Sequence, residues 1–239
     1  MTTDQLVDEI EDGDRHSHAP TLLAITALGF LACSLMAAVW PTFRGDWGVL
    51  VVVHKLPGLS TISEWMELSV ARPWVYVFIV TTLAIRLVTW RRPIWALGFL
   101  ASVAGGPLLV GLFLPLVSRG RPLDPTLLTS YPSTLVTYHT VLFGFAALIA
   151  WRRAESIRVR NTVVAFCGLI VVMAGVSRMH FQAHWPSDVV GSWLGASAWV
   201  LLIDRLIVMV EQEDETTTNE DSEDDEDEDF NPLEEPSFA

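Results

Sequence analysis

The sequence predicts an all-α bundle of six helices integral to a membrane, carried between two acidic, disordered tails. Three observations predict it. The chain is 51% hydrophobic with a mean hydropathy of +0.40, too apolar for an ordinary soluble domain. Its apolar residues come in runs near the ~20 residues that cross a bilayer core. Charge is segregated: residues 1–19 hold six acids against Arg15, residues 211–239 hold fifteen acids and no base, and residues 20–210 keep fourteen Lys and Arg against seven acids.

The net charge of −13 therefore hides a basic body. That body suits an anionic ligand or lipid headgroups, and no nucleic-acid partner is expected. The tails, 1–19 and 211–239, are too acidic and too poor in apolar residues to pack. Cys33 and Cys167 lie inside apolar runs and read as small hydrophobes without a disulfide framework. The acidic N-terminus does not resemble a secretory signal, so the first apolar run is expected to stay as a membrane helix.

The spans follow in order within the 20–210 body. The first runs from Pro20 to Trp40 and carries no charge; proline suits a helix start. Residues 41–72 mix Arg44, Asp46, His54, Lys55, Glu64 and Glu67 with a Val-rich run too short to cross. An interfacial or re-entrant piece is expected there. The second span is Pro73 to Trp90, with Arg86 near its end to snorkel. The third is Pro93 to Val117, where Gly105-Gly106-Pro107 suggests a kink. A polar loop, 118–132, precedes the fourth span, Ser133 to Trp151. The fifth, Thr162 to Val176, is short. The sixth runs from Pro186 to Val210 and carries Asp204 and Arg205 near its end.

Orientation follows from the arginines. The connections 90–92 and 151–161 hold six of them, which places both connections and both tails in the cytoplasm. Residues 41–72, 118–132 and 177–187 then face outward, in what is expected to be a plasma membrane. Arg119, Arg121 and Arg178 lie on the side where arginine is disfavoured, and binding an anion is the simplest reason.

The stretch from Val176 to Asp188 holds Arg178, His180, His184 and Asp188 between two apolar runs. Ionisable groups beside a span are costly, which makes a functional site the default reading; the plain reading is a polar loop joining two helices. With loop 118–132 it gathers Arg119, Arg121, Ser133, Arg178, His184 and Asp188 on one side. Arginine forks match phosphate oxygens. Pro186 in the first turn of the last helix leaves Asp188 in that turn, where free N–H groups also favour an anion. His184 and Asp188, four apart, can meet at the helix entrance, where a carboxylate on one ring nitrogen leaves the other free to attack. His180 and His184 have a spacing that metal sites use, but no glutamate follows and Pro186 interrupts the turn. No metal and no cofactor are expected.

Ser177-Arg178-x5-His184-x3-Asp188 resembles the third signature motif of the type 2 phosphatidic acid phosphatases, the PAP2 or lipid phosphate phosphatase family. Arg121-Pro122 resembles the end of the first motif, Lys-x6-Arg-Pro, and Pro132-Ser133 the start of the second, Pro-Ser-Gly-His. The resemblance covers roughly residues 20–210. It implies a metal-independent membrane phosphatase acting on a lipid phosphate. In it His184 is the nucleophile that forms a phosphohistidine, and Asp188 orients and charge-balances it. Arg121, Ser133 and Arg178, with the motif residue Ser177, hold the phosphoryl oxygens. Arg119 is a further phosphate contact on its chemistry alone.

The chain departs from the pattern where the first-motif lysine falls at Leu114 and the second-motif Gly-His falls at Thr134 and Leu135. That histidine protonates the leaving group in the family. His139, one turn beyond Leu135, and His180, one turn before His184, are the two candidate replacements; each is otherwise a structural histidine. A diphosphate expels phosphate without acid help, so loss of the acid favours a prenyl or other lipid diphosphate. A relative that binds or moves phospholipid without hydrolysis is the alternative.

Overall fold

The computed structural model describes residues 19–71, 79, 80, 83, 86 and 93–228. Among them are seven helices and no strands: α1 (Ala19–Val39), α2 (Asp46–Lys55), α3 (Leu59–Ala71), α4 (Pro93–Val117), α5 (Thr134–Arg153), α6 (Ile157–His180) and α7 (Pro186–Glu228). Five are long and apolar enough to cross a membrane: α1, α4, α5, α6 and the Pro186–Glu213 part of α7. The chain is an all-helical, multi-pass membrane protein. The expected span from Pro73 to Trp90 lies outside the described residues except at Ile79, Val80, Leu83 and Arg86. The first three of these pack against the bundle core. Residues 1–18 and 229–239 also lie outside the described residues.

Uninterrupted apolar sequence becomes helix here because a helix satisfies its own backbone hydrogen bonds where no water is available. Leu28, Leu35, Leu108, Leu112 and Leu169 all point outward and exposed, as lipid-facing residues do. Inward, Trp95, Phe99, Leu142, Phe145, Val200, Ile203 and Ile207 form one core cluster. A second, of Leu50, Val136, Met179, Trp185 and Val189, lies beneath the loops that carry the candidate site.

Two boundaries differ from the sequence expectation. α6 spans 24 residues rather than the short Thr162 to Val176 segment. Arginine stems can stay in a helix while their heads leave it, and Arg160 lies 4.7 Å over the Trp151 ring. At 1.5 Å per residue α6 is roughly 36 Å long. Its last turn holds Ser177, Arg178 and His180, so half of the motif stretch is helix rather than loop. The final helix does not stop at Val210 but runs on through acidic sequence to Glu228; glutamate is a good helix former.

Residues 41–71 form α2 and α3, of 10 and 13 residues, both too short to cross. Their Trp47, Val52, Trp65 and Leu68 are exposed, whereas Leu50 and Asp46 are buried. Both helices pack on α6, and α2 also touches α7.

Because α5, α6 and α7 alternate in direction, one end of the bundle collects Arg152, Arg153, Arg158 and Arg160, and the other collects Ser133, Arg178 and Asp188. At the arginine-rich end Arg152 pairs with Asp204 at 2.6 Å and Arg153 with Glu211 at 3.0 Å. Trp95 Nε1 donates to the same Glu211 carboxylate at 2.9 Å.

Gly105 serves close packing. A Cβ on Gly105 would lie 2.1 Å from the Trp199 ring, whose Nε1 donates to the Ser102 carbonyl at 3.1 Å. Gly105→Ala is expected to destabilise the fold by about 1–3 kcal/mol through overpacking, read as a lowered thermal midpoint in detergent.

Candidate active site

The site end is built from three segments: the turn before α2, the loop 118–133, and the connection from α6 to α7. Backbone hydrogen bonds join the last two, with Leu123 N–H donating to the Gln182 carbonyl at 3.2 Å. Trp185 Nε1 donates to the Gly120 carbonyl at 2.8 Å. Gly120 is required by close approach, since a Cβ there would meet the Pro125 carbonyl oxygen at 2.7 Å. On either side of it stand Arg119 and Arg121, which have different fates.

Arg119 is buried and committed to the protein. Its guanidinium pairs with Asp188 at 2.5 Å and Asp46 at 3.0 Å, all three side chains being at most 5% exposed. It also donates to the Pro41 carbonyl at 2.9 Å and Ser187 Oγ at 2.8 Å, and packs against the Phe43 and Trp185 rings. Four of its five N–H donors are thus engaged. The expected phosphate contact at Arg119 is corrected accordingly: it is a counter-ion to two carboxylates. The expected anion at the start of α7 is likewise internal, since Ser187 N–H and Oγ donate to Asp46 at 3.2 and 2.7 Å.

Asp188 does not meet His184. Its carboxylate accepts from Arg119, from the Trp185 N–H at 2.9 Å and from Ser130 Oγ. The Trp185 contact is the backward-reaching half of a capping box. The His184 Nδ1–H instead donates to the Ser130 carbonyl at 2.6 Å, which assigns the tautomer and leaves Nε2 with its lone pair. The expected pairing of His184 with Asp188 is therefore indirect. Asp188 and the Arg119 carbonyl hold Ser130, at its hydroxyl and its N–H, and Ser130 holds the imidazole.

Burial pushes His184 down to about 3, against an ordinary 6.5; the Ser130 carbonyl opposes this and the positive fields of Arg178 and Arg121 add to it. The ring is neutral at physiological pH. Arg121 and Arg178 also act electrostatically on each other, so two like charges converge on a neutral imidazole. Arg121 Nε, Arg178 Nε and Ser133 Oγ are buried without a hydrogen-bond partner among the described residues. Arg121 makes one long contact to the Thr129 carbonyl at 3.5 Å, and Arg178 pairs with Glu67.

The other expected site residues fall elsewhere. Ser177 is buried and turns its hydroxyl to the Ala174 carbonyl of its own helix at 3.1 Å, away from the cluster. His180 faces α2, with Nδ1 3.4 Å from the Val53 carbonyl and its ring 5.6 Å from that of His54. His139 is buried in α5, bonded to the Leu135 carbonyl at 2.9 Å, and lies within electrostatic range of Arg178. Leu135 itself is buried.

Asp46, Ser130 and Glu67 were not singled out from sequence. For Asp46 a signal existed: an outward-facing arginine needs a counter-charge, and few acids lie on that side. For Ser130, one residue before Tyr131-Pro132-Ser133, the contact runs through a backbone carbonyl that no side-chain pattern announces.

Residues 95–210 match the family model of the PAP2 superfamily. The match covers loop 118–133, His139 and the whole α6–α7 connection, but not Asp46, His54 or Glu67. The structure is similar to the crystal structure of the first transmembrane PAP2 type phosphatidylglycerolphosphate phosphatase from Bacillus subtilis. The TM-score is 0.50 and the identity 17%, over 80% of this chain and 92% of that one. At this identity the likeness is one of fold. No curated protein matches.

Two outcomes are expected. Arg119→Met leaves two buried carboxylates without their counter-ion, and is expected to cost about 3–5 kcal/mol by denaturant unfolding in detergent. The second follows from the depressed His184 value. The unfolded imidazole takes up a proton below 6.5 that the folded one refuses until about 3, so stability falls as pH falls through that window. His184→Gln should flatten this part of the stability–pH curve.

Proposed function

We propose that the chain is an integral membrane phosphatase that hydrolyses a lipid phosphate through a phosphohistidine on His184. The observation that carries this reading is the convergence of Arg121 and Arg178 on a buried, neutral imidazole, with unmatched donors at Arg121 Nε, Arg178 Nε and Ser133 Oγ. A phosphoryl group supplies what that arrangement lacks: negative charge to separate the arginines and oxygens to accept the donors.

The steps follow from the atoms. Arg121, Arg178 and Ser133 hold the phosphoryl oxygens. The His184 Nε2 lone pair attacks phosphorus, the bond to the leaving oxygen breaks, and that oxygen keeps the electron pair. Nδ1–H stays on the Ser130 carbonyl, which stabilises the ring as it becomes cationic. Water then attacks phosphorus, the P–N bond breaks, inorganic phosphate departs, and the proton released by water passes to solvent or a nearby base. Asp188 acts through Ser130 as a positioning residue.

An acid for the leaving group is found more readily at His139 than at His180. Arg178 reaches both His139 and His184 electrostatically, whereas His180 is engaged with α2. His139 is buried among apolar residues, and Leu135 occupies the position where the resemblance would put the acid. A substrate that leaves without protonation suits this site best, so we favour a prenyl or other lipid diphosphate over a monoester. The arginine-rich end of the bundle is read as cytoplasmic, with both termini, which sets the site at the extracytoplasmic face of the plasma membrane. A second reading draws on Leu114 and Leu135: a relative that binds or moves phospholipid without hydrolysing it.

Phosphate release from a lipid panel by protein in detergent separates these readings. The expected result is faster release from prenyl diphosphate than from phosphatidic acid, with His184→Ala at least 100-fold slower, about the low end for losing a catalytic group. Release by His184→Ala at the wild-type rate would overturn the mechanism. Faster turnover of the monoester would overturn the diphosphate preference, and no release from any lipid would favour the non-hydrolytic reading.

A further inference from the structure

Arg178 does not face open water. Its guanidinium is paired with the carboxylate of Glu67 on α3, a residue separated from it by most of the bundle in sequence. The Glu67 side chain is 49% exposed, that of Arg178 only 12%. A carboxylate presents an arginine with two oxygens in the spacing of two phosphoryl oxygens. Glu67 therefore occupies, on the solvent side of Arg178, a position for which a phosphoryl group competes.

Further contacts hold α2 over the same end. His54 Nδ1 lies 2.9 Å from the His180 carbonyl oxygen, His180 Nδ1 reaches toward the Val53 carbonyl, and Trp47 packs edge-on to Trp185 with centroids 5.0 Å apart. Beneath this cover His184 is 5% exposed, and Arg121 Nε, Arg178 Nε and Ser133 Oγ have almost no contact with solvent. In this arrangement those donors are closed off from solvent. The contact that a phosphoryl group itself displaces is the ion pair, because it competes directly for the same guanidinium. The other contacts are ring nitrogens on backbone carbonyls and a ring-to-ring contact, whose partners are not groups that an arriving anion replaces.

We propose that Glu67 is an internal competitor for the phosphoryl group at Arg178: it sets the affinity of the site for phosphate and releases α3 when substrate displaces it. The proposal rests on the phosphatase reading of the site and adds a specificity-determining residue to it. Glu67 lies before residue 95, outside the segment that matches the superfamily model. Two consequences follow. A ligand with more negative charge displaces the carboxylate more readily, which favours a diphosphate over a monoester. Inorganic phosphate, the product, binds less tightly than two arginines alone would hold it, which speeds its departure.

Titrating inorganic phosphate calorimetrically into the full chain in detergent tests this. The proteins compared are wild type, Glu67→Gln, Arg178→Gln and the double variant. Glutamine keeps the shape of Glu67 and removes its charge. Glu67→Gln is expected to bind phosphate about tenfold tighter, the size of one charge-assisted contact. The gain should vanish when Arg178→Gln is also present. Amide exchange in α3 of the wild type should speed up when phosphate saturates the site. If wild type binds phosphate through Arg178 but Glu67→Gln binds it no tighter, the competitor is overturned and the phosphate site stands. If no variant, Glu67→Gln included, binds phosphate, both fail. Unchanged α3 exchange on saturation would overturn the release of the cover.

Discussion

The site depends on one buried ion triad, Asp46, Arg119 and Asp188. Three separate segments meet there: the turn before α2, the loop 118–133 and the first turn of α7. Burying three charges is expensive, and attraction in the interior offsets that cost only when geometry and hydrogen bonding are nearly complete. Here Ser187, Ser130, Trp185 N–H and the Pro41 carbonyl complete them. The triad fixes Asp188, Asp188 fixes Ser130, and the Ser130 carbonyl fixes the His184 tautomer. Each link is a single hydrogen bond or ion pair, so the imidazole is oriented from about three contacts away.

The same triad divides the arginines. Arg119 carries one positive charge into a place where two negative charges wait, so it is neutralised. Arg121, two residues on, has no carboxylate partner among the described residues. Arg178 has one, and it is on a half-exposed side chain. A basic site end is thus sorted into an internally satisfied part and a part whose charge is less completely matched within the protein. The neutral imidazole stands between them. Burial, with the positive fields of Arg178 and Arg121 added, keeps it unprotonated, which is the state a nitrogen nucleophile requires.

Much of this was legible in the sequence, and for identifiable reasons. Continuous apolar runs between arginines and tryptophans specify crossing helices, because the bilayer leaves the backbone few other options. Arg121, Arg178 and His184 also stand out in the sequence, because charged residues beside spans are rare. What the sequence did not reveal is pairing. Arg119 and Arg121 look equivalent on paper; only the fold brings Asp46 to one of them. The spacing of His184 and Asp188 suggests direct contact, yet proline geometry turns the carboxylate back onto its own helix cap. Ser177 sits in the motif, but its small side chain satisfies itself on the preceding turn. Glu67 was hidden because a short amphipathic segment gives no hint of which side chain it lays across a distant arginine.

The central claim is phosphoryl transfer to His184. It is tested most directly by quenching the detergent-solubilised protein in alkali during turnover of a lipid diphosphate and mapping phosphate by mass spectrometry. The account predicts an acid-labile phosphoryl group on His184, absent from His184→Asn, which should also fail to turn over. A phosphoryl group on another residue, or undiminished turnover by His184→Asn, would contradict it.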